Sequence, residues 1–182
     1  MRLFLIILTT FTFTVHADNS NVWAEWGAGG GNDLIGYSMN LKLGDESTNW
    51  AIELGYLEDF QVFSYVEDRK NGGTADIKMT TLGLTKNWNN IGSWGYKEAG
   101  IGLGIVKGTW ANDCSREDSG NTLSGRHDVC DISDGIRFGI PMHASAVFGK
   151  YLGIGITVKA FLTTENTHAG IMITIPIGDF TN

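Results

Sequence analysis

The stretch YLGIGITVKAF, residues 151–161, alternates between large apolar side chains and small or polar ones. A period of two places successive side chains on opposite faces of a β-strand, so one face of this segment is apolar and the other is not. The apolar face carries Leu152, Ile154, Ile156, Val158 and Ala160, and the opposite face carries Gly153, Gly155, Thr157, Lys159 and Phe161. The kind of protein depends on which face is outside.

The same alternation recurs along the chain, and no segment shows a sustained helical period. Glycine is abundant, with 25 residues, and proline is scarce, with two. In one segment the apolar residues change parity between Met79 and Leu82, which predicts a β-bulge. We predict eight strands, over residues 21–29, 35–44, 49–58, 75–87, 94–109, 135–149, 152–163 and 167–178.

The predicted connections alternate in length. They are short after the second, fourth and sixth strands, and long after the third and fifth. Short turns at one end and long loops at the other are typical of an up-and-down barrel that crosses an outer membrane. We therefore predict an all-β fold, a single closed antiparallel up-and-down eight-stranded β-barrel.

The first 17 residues, MRLFLIILTTFTFTVHA, have the features of a secretory signal peptide. Arg2 precedes an apolar run, and a Val-x-Ala ending predicts cleavage before Asp18. A transmembrane anchor is the alternative, but the apolar run is short for a span and no charge follows it directly. We expect residues 1–17 to be the signal peptide and residues 18–182 to form the barrel domain.

The formal net charge of the chain is −7, and loss of Arg2 with the signal peptide would make it one unit more negative. Binding to nucleic acid requires clustered Lys and Arg side chains against the phosphates. The charge therefore argues against a nucleic-acid partner.

Two cysteines, Cys114 and Cys130, follow the signal peptide. An even pair in an exported chain predicts a disulfide, whereas a metal site would need more ligands than the nearby His127. The surrounding loop 110–134 is rich in acids, so calcium is conceivable, but no EF-hand-like spacing appears. We expect a disulfide-braced surface loop through which a surface partner could bind, and we predict no metal or cofactor.

Alternation alone does not distinguish a membrane barrel from a soluble calyx, whose apolar residues face inward. Here the polar face is rich in glycine and carries charges of both signs in mid-strand, as a narrow packed lumen would. We favour ion pairs that plug this lumen over a conducting pathway. The predicted lumen network consists of Glu25, Lys42, Glu53, Lys78, Glu98, Arg137, His143 and Lys159.

Aromatic residues lie near the predicted strand ends, as in the girdles of membrane barrels. They are Trp26, Tyr37, Trp50, Tyr56, Trp94, Trp110, Phe148, Tyr151 and Phe180. With these features the chain resembles the small eight-stranded outer-membrane β-barrel proteins of Gram-negative bacteria. The final hairpin, GIGITVKAFLTTENTHAGIMITIPIGDF, looks like their closing β-signal, although that signal normally ends on the terminal aromatic residue and here Phe180 is followed by Thr181 and Asn182.

His143 and Ser145 form a His-x-Ser pair that is similar to the pair of outer-membrane lipid A deacylases, in which serine is the nucleophile and histidine its base. Such a site also needs a carboxylate to orient the histidine, and residues 153–161 supply none. Parity also directs both side chains into the lumen, away from lipid. We therefore expect His143 to hydrogen bond with Arg137, Glu98 or Glu53.

The resemblance implies a monomeric integral outer-membrane protein, in contact with outer-membrane lipid and lipopolysaccharide, that has a structural or surface-interaction role without catalysis. Two alternatives remain open. One is a lipid A-modifying acyl hydrolase that uses His143 and Ser145. The other is a soluble periplasmic, lipocalin-like calyx that binds a small apolar ligand.

Overall fold

The structure is a computed structural model that describes residues 21–31, 34–45, 47–59, 64–116, 126–164 and 167–178. The predicted signal peptide and Phe180 lie outside the described residues. The described residues form nine strands. These are β1 (Asn21–Gly31), β2 (Leu34–Gly44), β3 (Thr48–Asp59), β4 (Ser64–Asp68), β5 (Lys78–Gly92), β6 (Gly95–Arg116), β7 (Arg126–Gly149), β8 (Gly153–Thr163) and β9 (Thr167–Gly178).

Eight of these strands close into an antiparallel barrel, in the ring order β1, β2, β3, β5, β6, β7, β8 and β9. The first strand pairs with the last, from Trp23↔Gly178 to Gly30↔Ile171, so the wall has no open seam. The predicted closed eight-stranded barrel is thereby confirmed. The ninth strand, β4, was not predicted; it pairs in parallel with β7 outside the ring.

The register of the pairs fixes the tilt of the wall. Following paired residues strand by strand from Thr48 around the ring returns to β3 at Glu58, a displacement of ten residues. With standard strand spacing and rise, this shear corresponds to a tilt of about 40°, and each residue climbs about 2.5 Å along the barrel axis.

The two ends of the barrel differ. The turn end carries the tight connections β2–β3, β5–β6 and β7–β8, together with the beginning of β1 and the end of β9. The loop end carries the connections β1–β2, β3–β5, β6–β7 and β8–β9. The short connections predicted after the second, fourth and sixth strands all lie at the turn end. At the loop end the β3–β5 connection is long, as predicted, whereas only two residues separate β1 from β2.

Strands β6 and β7 continue beyond the barrel at the loop end, which corrects the prediction of a loop over residues 110–134. Their pairing extends to Arg116↔Asp128, and we call residues 109–116 and 126–134 the hairpin extension. The register shifts between Asn112 and Ser115, where Asp113 has a positive φ of 46°. This bulge breaks the simple alternation on which the prediction relied.

The predicted bulge between Met79 and Leu82 is absent from β5. Pairing with both neighbouring strands is regular there, and burial alternates with Met79 inside and Leu82 outside. The parity change arises because Met79 is an apolar residue that faces the lumen, where it joins a hydrophobic cluster at the loop end.

The β2–β3 turn is held by the side chain of Asp45. Its Oδ1 accepts hydrogen bonds from the Thr48 amide at 2.7 Å and from the amide and hydroxyl of Ser47, each at 2.8 Å. These bonds, above all that from Thr48, lower the pKa of Asp45 below its ordinary value, because they favour the charged carboxylate. The anchored turn fixes the register of the two strands.

Candidate functional site

The inward faces of the strands bury polar side chains. In β8, Gly155, Thr157 and Phe161 are buried, whereas Ile154, Ile156 and Val158 are exposed. The apolar face of residues 151–161 is therefore on the outside of the barrel. The same holds around the ring, and the buried polar residues are Glu25, Ser38, Asn40, Lys42, Asn49, Glu53, Thr85, Asn87, Glu98, His143, Ser145, Thr157 and Thr174.

Lys42 is the centre of the buried ion pairs. Its Nζ lies 2.7 Å from Glu25 Oε1 and also contacts Glu98 Oε1, and none of the three side chains is more than marginally exposed. The hydroxyl of Tyr96 donates to the same oxygen of Glu25. Asn49 donates to the second oxygen of Glu98 at 2.8 Å. Each carboxylate is thus supported by hydrogen bonds as well as by the ammonium group, as buried ion pairs require.

His143 bridges two carboxylates. Its Nε2 lies 2.9 Å from Glu98 Oε1, and its Nδ1 lies 2.9 Å from Glu53 Oε1. An imidazolium ring, which has an N–H on each nitrogen, suits two such partners. His143 therefore connects the ion pairs around Lys42 with those around Glu53.

Lys159 extends the network towards the loop end. Its Nζ lies 3.4 Å from Glu53 Oε2 and donates to Ser38 Oγ at 3.2 Å and Asn40 Oδ1 at 3.3 Å. The network therefore runs through groups that the ring brings together from β1, β2, β3, β6, β7 and β8. We call the following set the lumen network: Glu25, Ser38, Asn40, Lys42, Asn49, Glu53, Tyr96, Glu98, His143 and Lys159.

The formal charges of the lumen network balance when His143 is protonated. Three carboxylates then face two lysine ammonium groups and one imidazolium ring. A compensated set of charges is the arrangement that a narrow, poorly hydrated interior tolerates. It suits a packed lumen better than a selective pore, whose lining would carry an excess of one sign.

Two residues of the predicted lumen network lie elsewhere. Lys78 has an exposed side chain that pairs with Asp76, because its position in β5 has outward parity. Arg137 faces inward but lies near the loop end, where its guanidinium carbon is 3.9 Å from the centroid of the Trp110 ring and its Nη2 donates to Asn112 at 3.2 Å.

The structure does not bring His143 and Ser145 together as a base and a nucleophile. Ser145 Oγ lies 2.9 Å from Thr157 Oγ1, which in turn donates to Thr174 at 3.2 Å. Both ring nitrogens of His143 face carboxylates, so neither is directed at the serine hydroxyl. Both residues are buried in the lumen, away from the outer wall.

Apolar clusters close the lumen on both sides of the network. At the turn end Trp23, Tyr96 and Val147 pack together with Ile91. At the loop end a larger cluster contains Leu34, Ala75, Ile77, Met79, Val106, Trp110 and Phe161. We refer to these as the turn-end cluster and the loop-end cluster.

A cavity of about 80 Å³ lies between the lumen network and the loop-end cluster. Ser38, Glu53 and Lys159 line its polar side, and Leu34 and Phe161 line its apolar side. The volume has room for a few water molecules. No group of His, Cys, Asp and Glu residues in the described part of the chain is arranged to hold a metal ion.

The hairpin extension carries the Cys114–Cys130 disulfide, as predicted. Arg69, which follows β4, ties this region to the β3–β5 connection. Its Nη2 donates to the carbonyl oxygens of Asp113 at 2.8 Å and Val129 at 3.2 Å, and its amide donates to the Cys130 carbonyl at 2.9 Å. The extension is thus a small braced sheet rather than an irregular loop.

The outer wall is a predominantly apolar surface. The outward positions from Leu152, just before β8, to Leu162 within it cover ten residues, which corresponds to a height of about 25 Å at a tilt of about 40°. We call this surface the outer belt, and its members include Met39, Leu41, Leu43, Ile52, Leu54, Leu82, Leu84, Ile101, Leu103, Ile154, Ile156, Val158, Ile171, Ile173, Ile175 and Ile177, all exposed.

Aromatic residues occupy both margins of the outer belt. At the turn end Trp50, Trp88, Trp94, Phe148 and Tyr151 are exposed. Towards the loop end Tyr37 stacks on Tyr56, with 5.4 Å between ring centroids. Trp26 also faces outward, but Trp110 is buried in the loop-end cluster, so it does not belong to an outer girdle.

Tyr96, Trp23 and the buried asparagines were missed as lumen residues in the sequence. The alternation could have identified them, since Tyr96 faces the same side of its strand as Glu98, and Asn87 the same side as Thr85.

Among the described residues, no helix is long and apolar enough to cross a membrane. A comparison of the chain with protein-family models and with curated protein sequences finds no match.

Proposed function

We propose that this protein is an integral outer-membrane β-barrel with a sealed polar lumen, which has a structural or surface-interaction role without catalysis. The single observation that carries the proposal is the outward direction of the apolar faces. About 25 Å of exposed aliphatic wall is the height of the lipid-facing band in outer-membrane barrels. Phe138, for example, is 79% exposed, and Leu103 is 76% exposed.

The distribution of polar groups supports the same proposal. A soluble calyx keeps its apolar residues inside and its charged residues on the wall, whereas here Glu25, Lys42 and Glu98 are inside. Exposing an apolar surface of this extent to water would favour aggregation. Lipid would cover it, and closure of the ring satisfies the backbone groups of the wall.

The absence of catalysis rests on the arrangement around His143. A general base needs a free nitrogen within hydrogen-bond reach of the nucleophile, and both nitrogens of His143 face Glu53 and Glu98. The braced hairpin extension stands beyond the wall at the loop end, where a surface partner could reach it. We propose this extension as the interacting surface.

The test is to purify the protein from isolated outer membranes and to compare unboiled and boiled samples by gel electrophoresis. We expect a detergent-resistant barrel that migrates faster when it is unboiled. We also expect tryptophan fluorescence to be quenched by vesicles of brominated lipid, because Trp50 and Trp88 face outward. Recovery of the folded protein from a soluble periplasmic extract, without quenching, would instead favour the calyx.

A further inference from the structure

The outer wall carries a charged side chain that a lipid-facing surface does not need. Lys86 of β5 points outward and is directly paired with Trp50 of β3 and Ile101 of β6. Leu84 precedes it on the same face and is exposed. A charged group on the lipid face is costly unless it reaches the interface or finds an anion there.

Aromatic rings direct Lys86 towards the turn end. Its Nζ lies 5.9 Å from the centroid of the Trp50 ring, a cation–π arrangement, and Trp88 follows it on the same face. Among the described residues, no carboxylate pairs with Lys86. Lys97 of β6 also points outward, nearer the turn end, opposite Asn90 of β5.

A strip of small side chains begins beside Lys97. Ala99 on β6 pairs with Ala144 on β7, and Lys97 pairs with Ala146 two positions nearer the turn end. All three alanines point outward. The larger side chain of Trp88 lies on one side of the strip, and that of Ile156 of β8 lies on the other. The side chains on this strip are therefore smaller than those of its neighbours Trp88 and Ile156.

We propose that this patch binds one glycerophospholipid molecule. Lys86 and Lys97 contact its phosphate, Trp50 and Trp88 flank the headgroup, and an acyl chain lies along the strip that contains Ala99 and Ala144. The inference rests on the proposed membrane function. The short-turn end of such barrels faces the periplasm, so the lipid at this margin is a phospholipid of the inner leaflet.

Charge complementarity gives the expected size of the effect. A lysine near an anionic lipid surface contributes enough binding free energy to change an affinity about fivefold. Loss of the Lys86 charge should therefore weaken binding of an anionic phospholipid by about this factor. Loss of an exposed lysine far from the wall should not weaken this binding. Lys70, in the turn after β4, is such a residue.

The experiment is native mass spectrometry of the full protein in detergent, titrated with phosphatidylglycerol. We expect Lys86→Gln to raise the apparent dissociation constant about fivefold, and Lys70→Gln, which removes the same charge, to change it less than twofold. Ala144→Phe fills the strip from outside the barrel and should also weaken binding. Diacylglycerol, which lacks the phosphate, should bind the wild-type protein more weakly.

Several outcomes would overturn the proposal. One is that Lys86→Gln and Ala144→Phe bind the phospholipid as well as the wild-type protein does. Another is that inorganic phosphate competes as strongly as phospholipid, which would assign the lysines to free phosphate. A third is that diacylglycerol binds equally well, since the phosphate would then contribute nothing.

The failure of this inference can be separated from that of the proposed function. If the wild-type protein inserts into brominated-lipid vesicles and shows the gel shift, but Lys86→Gln leaves phospholipid binding unchanged, only the phospholipid site is wrong. If the wild-type protein neither inserts nor shifts, the membrane proposal itself fails and the phospholipid site fails with it.

Discussion

Lys42 Nζ lies 2.7 Å from Glu25 Oε1 inside the barrel, next to the turn-end cluster, and the two side chains are 0% and 2% exposed. In the register of β1 and β2, Trp23 opposes Lys42 and Glu25 opposes Asn40. Lys42 and Glu25 are therefore diagonal neighbours across the two strands. The pair belongs to a set of charges that occupies the lumen between the turn-end cluster and the loop-end cluster.

Lys42→Met should destabilise the barrel strongly. The substitution leaves Glu25 and Glu98 buried without their common cation, and breaking a buried pair in this way costs about 3–5 kcal/mol. Urea unfolding in detergent or vesicles measures the change. Lys107→Met, on the exposed face of β6, is the matched control and should cost about 0.5 kcal/mol or less. Equal effects of the two variants would contradict the central role of Lys42.

His143→Ala and Ser145→Ala should both leave lipid A unchanged, because neither residue is positioned for acyl transfer. Mass spectrometry of lipid A from cells that express each variant provides the measurement. His143→Ala should nevertheless lower the free energy of unfolding more than Ser145→Ala does, since it leaves Glu53 and Glu98 without the ring between them. An acyl chain that reappears in either variant would instead establish a deacylase.

Gly100→Ala should destabilise the lumen, although it adds only a methyl group. A Cβ at this position would lie 2.1 Å from Asn87 Oδ1 and 2.5 Å from His143 Cε1, so both side chains would have to move. Overpacking of this kind costs about 1–3 kcal/mol. Gly135→Ala is the control, since its Cβ would meet no atom within 4 Å. Thermal or urea unfolding that ranks the two variants in the opposite order would refute the packing around His143.

Reduction of the Cys114–Cys130 disulfide should leave the barrel intact and loosen only the hairpin extension. The two cysteines are separated by 16 positions, and closing such a loop stabilises by about 3 kcal/mol in the chain-entropy model. Because the bridge lies beyond the wall, the Cys114→Ser/Cys130→Ser variant should keep the gel shift. Limited proteolysis should cut it faster between β6 and β7. Loss of the gel shift would show that the bridge is needed for the barrel itself.

The purified protein should conduct no ions in planar bilayers. The turn-end cluster around Trp23 and the loop-end cluster around Phe161 close the lumen on either side of the lumen network. Single-channel recordings at high salt should therefore show no steps. Regular steps from the wild-type protein would mean that the clusters open.

Much of the architecture could be predicted because the alternation of apolar with small or polar residues along a strand separates its exposed face from its buried face. The segment 151–161 predicts its own two faces, and the same rule separates Ile101 from Gly100 and Leu54 from Glu53. The disulfide could also be predicted, since only two cysteines are available. The sequence also predicts Glu98 and Glu53 among the partners of His143, and each lies 2.9 Å from its ring. The partners of Lys42 could not be predicted. Lys42 and Glu98 are 56 positions apart, and their contact depends on the shear of the whole ring.

The errors occurred where tertiary context overrides alternation. Met79 is apolar but faces inward, because the lumen near the loop end is lined by a hydrophobic cluster rather than by charges. The bulge at Asp113 interrupts the pattern that would have extended β6. Strand β4 is only five residues long, and its partner, residues 126–130 of β7, is distant in the chain.

The pairing of β1 with β9 has a consequence for biosynthesis. Residues 23–30 find their partners only in residues 171–178, so a growing chain cannot seal the wall until its ninth strand has been made. Until then both edges of the nascent sheet and its aliphatic side chains would be exposed to water. On the proposed route to an outer membrane, the chain would have to be kept from closing during synthesis and export, and the pairing of its first and last strands would complete the barrel.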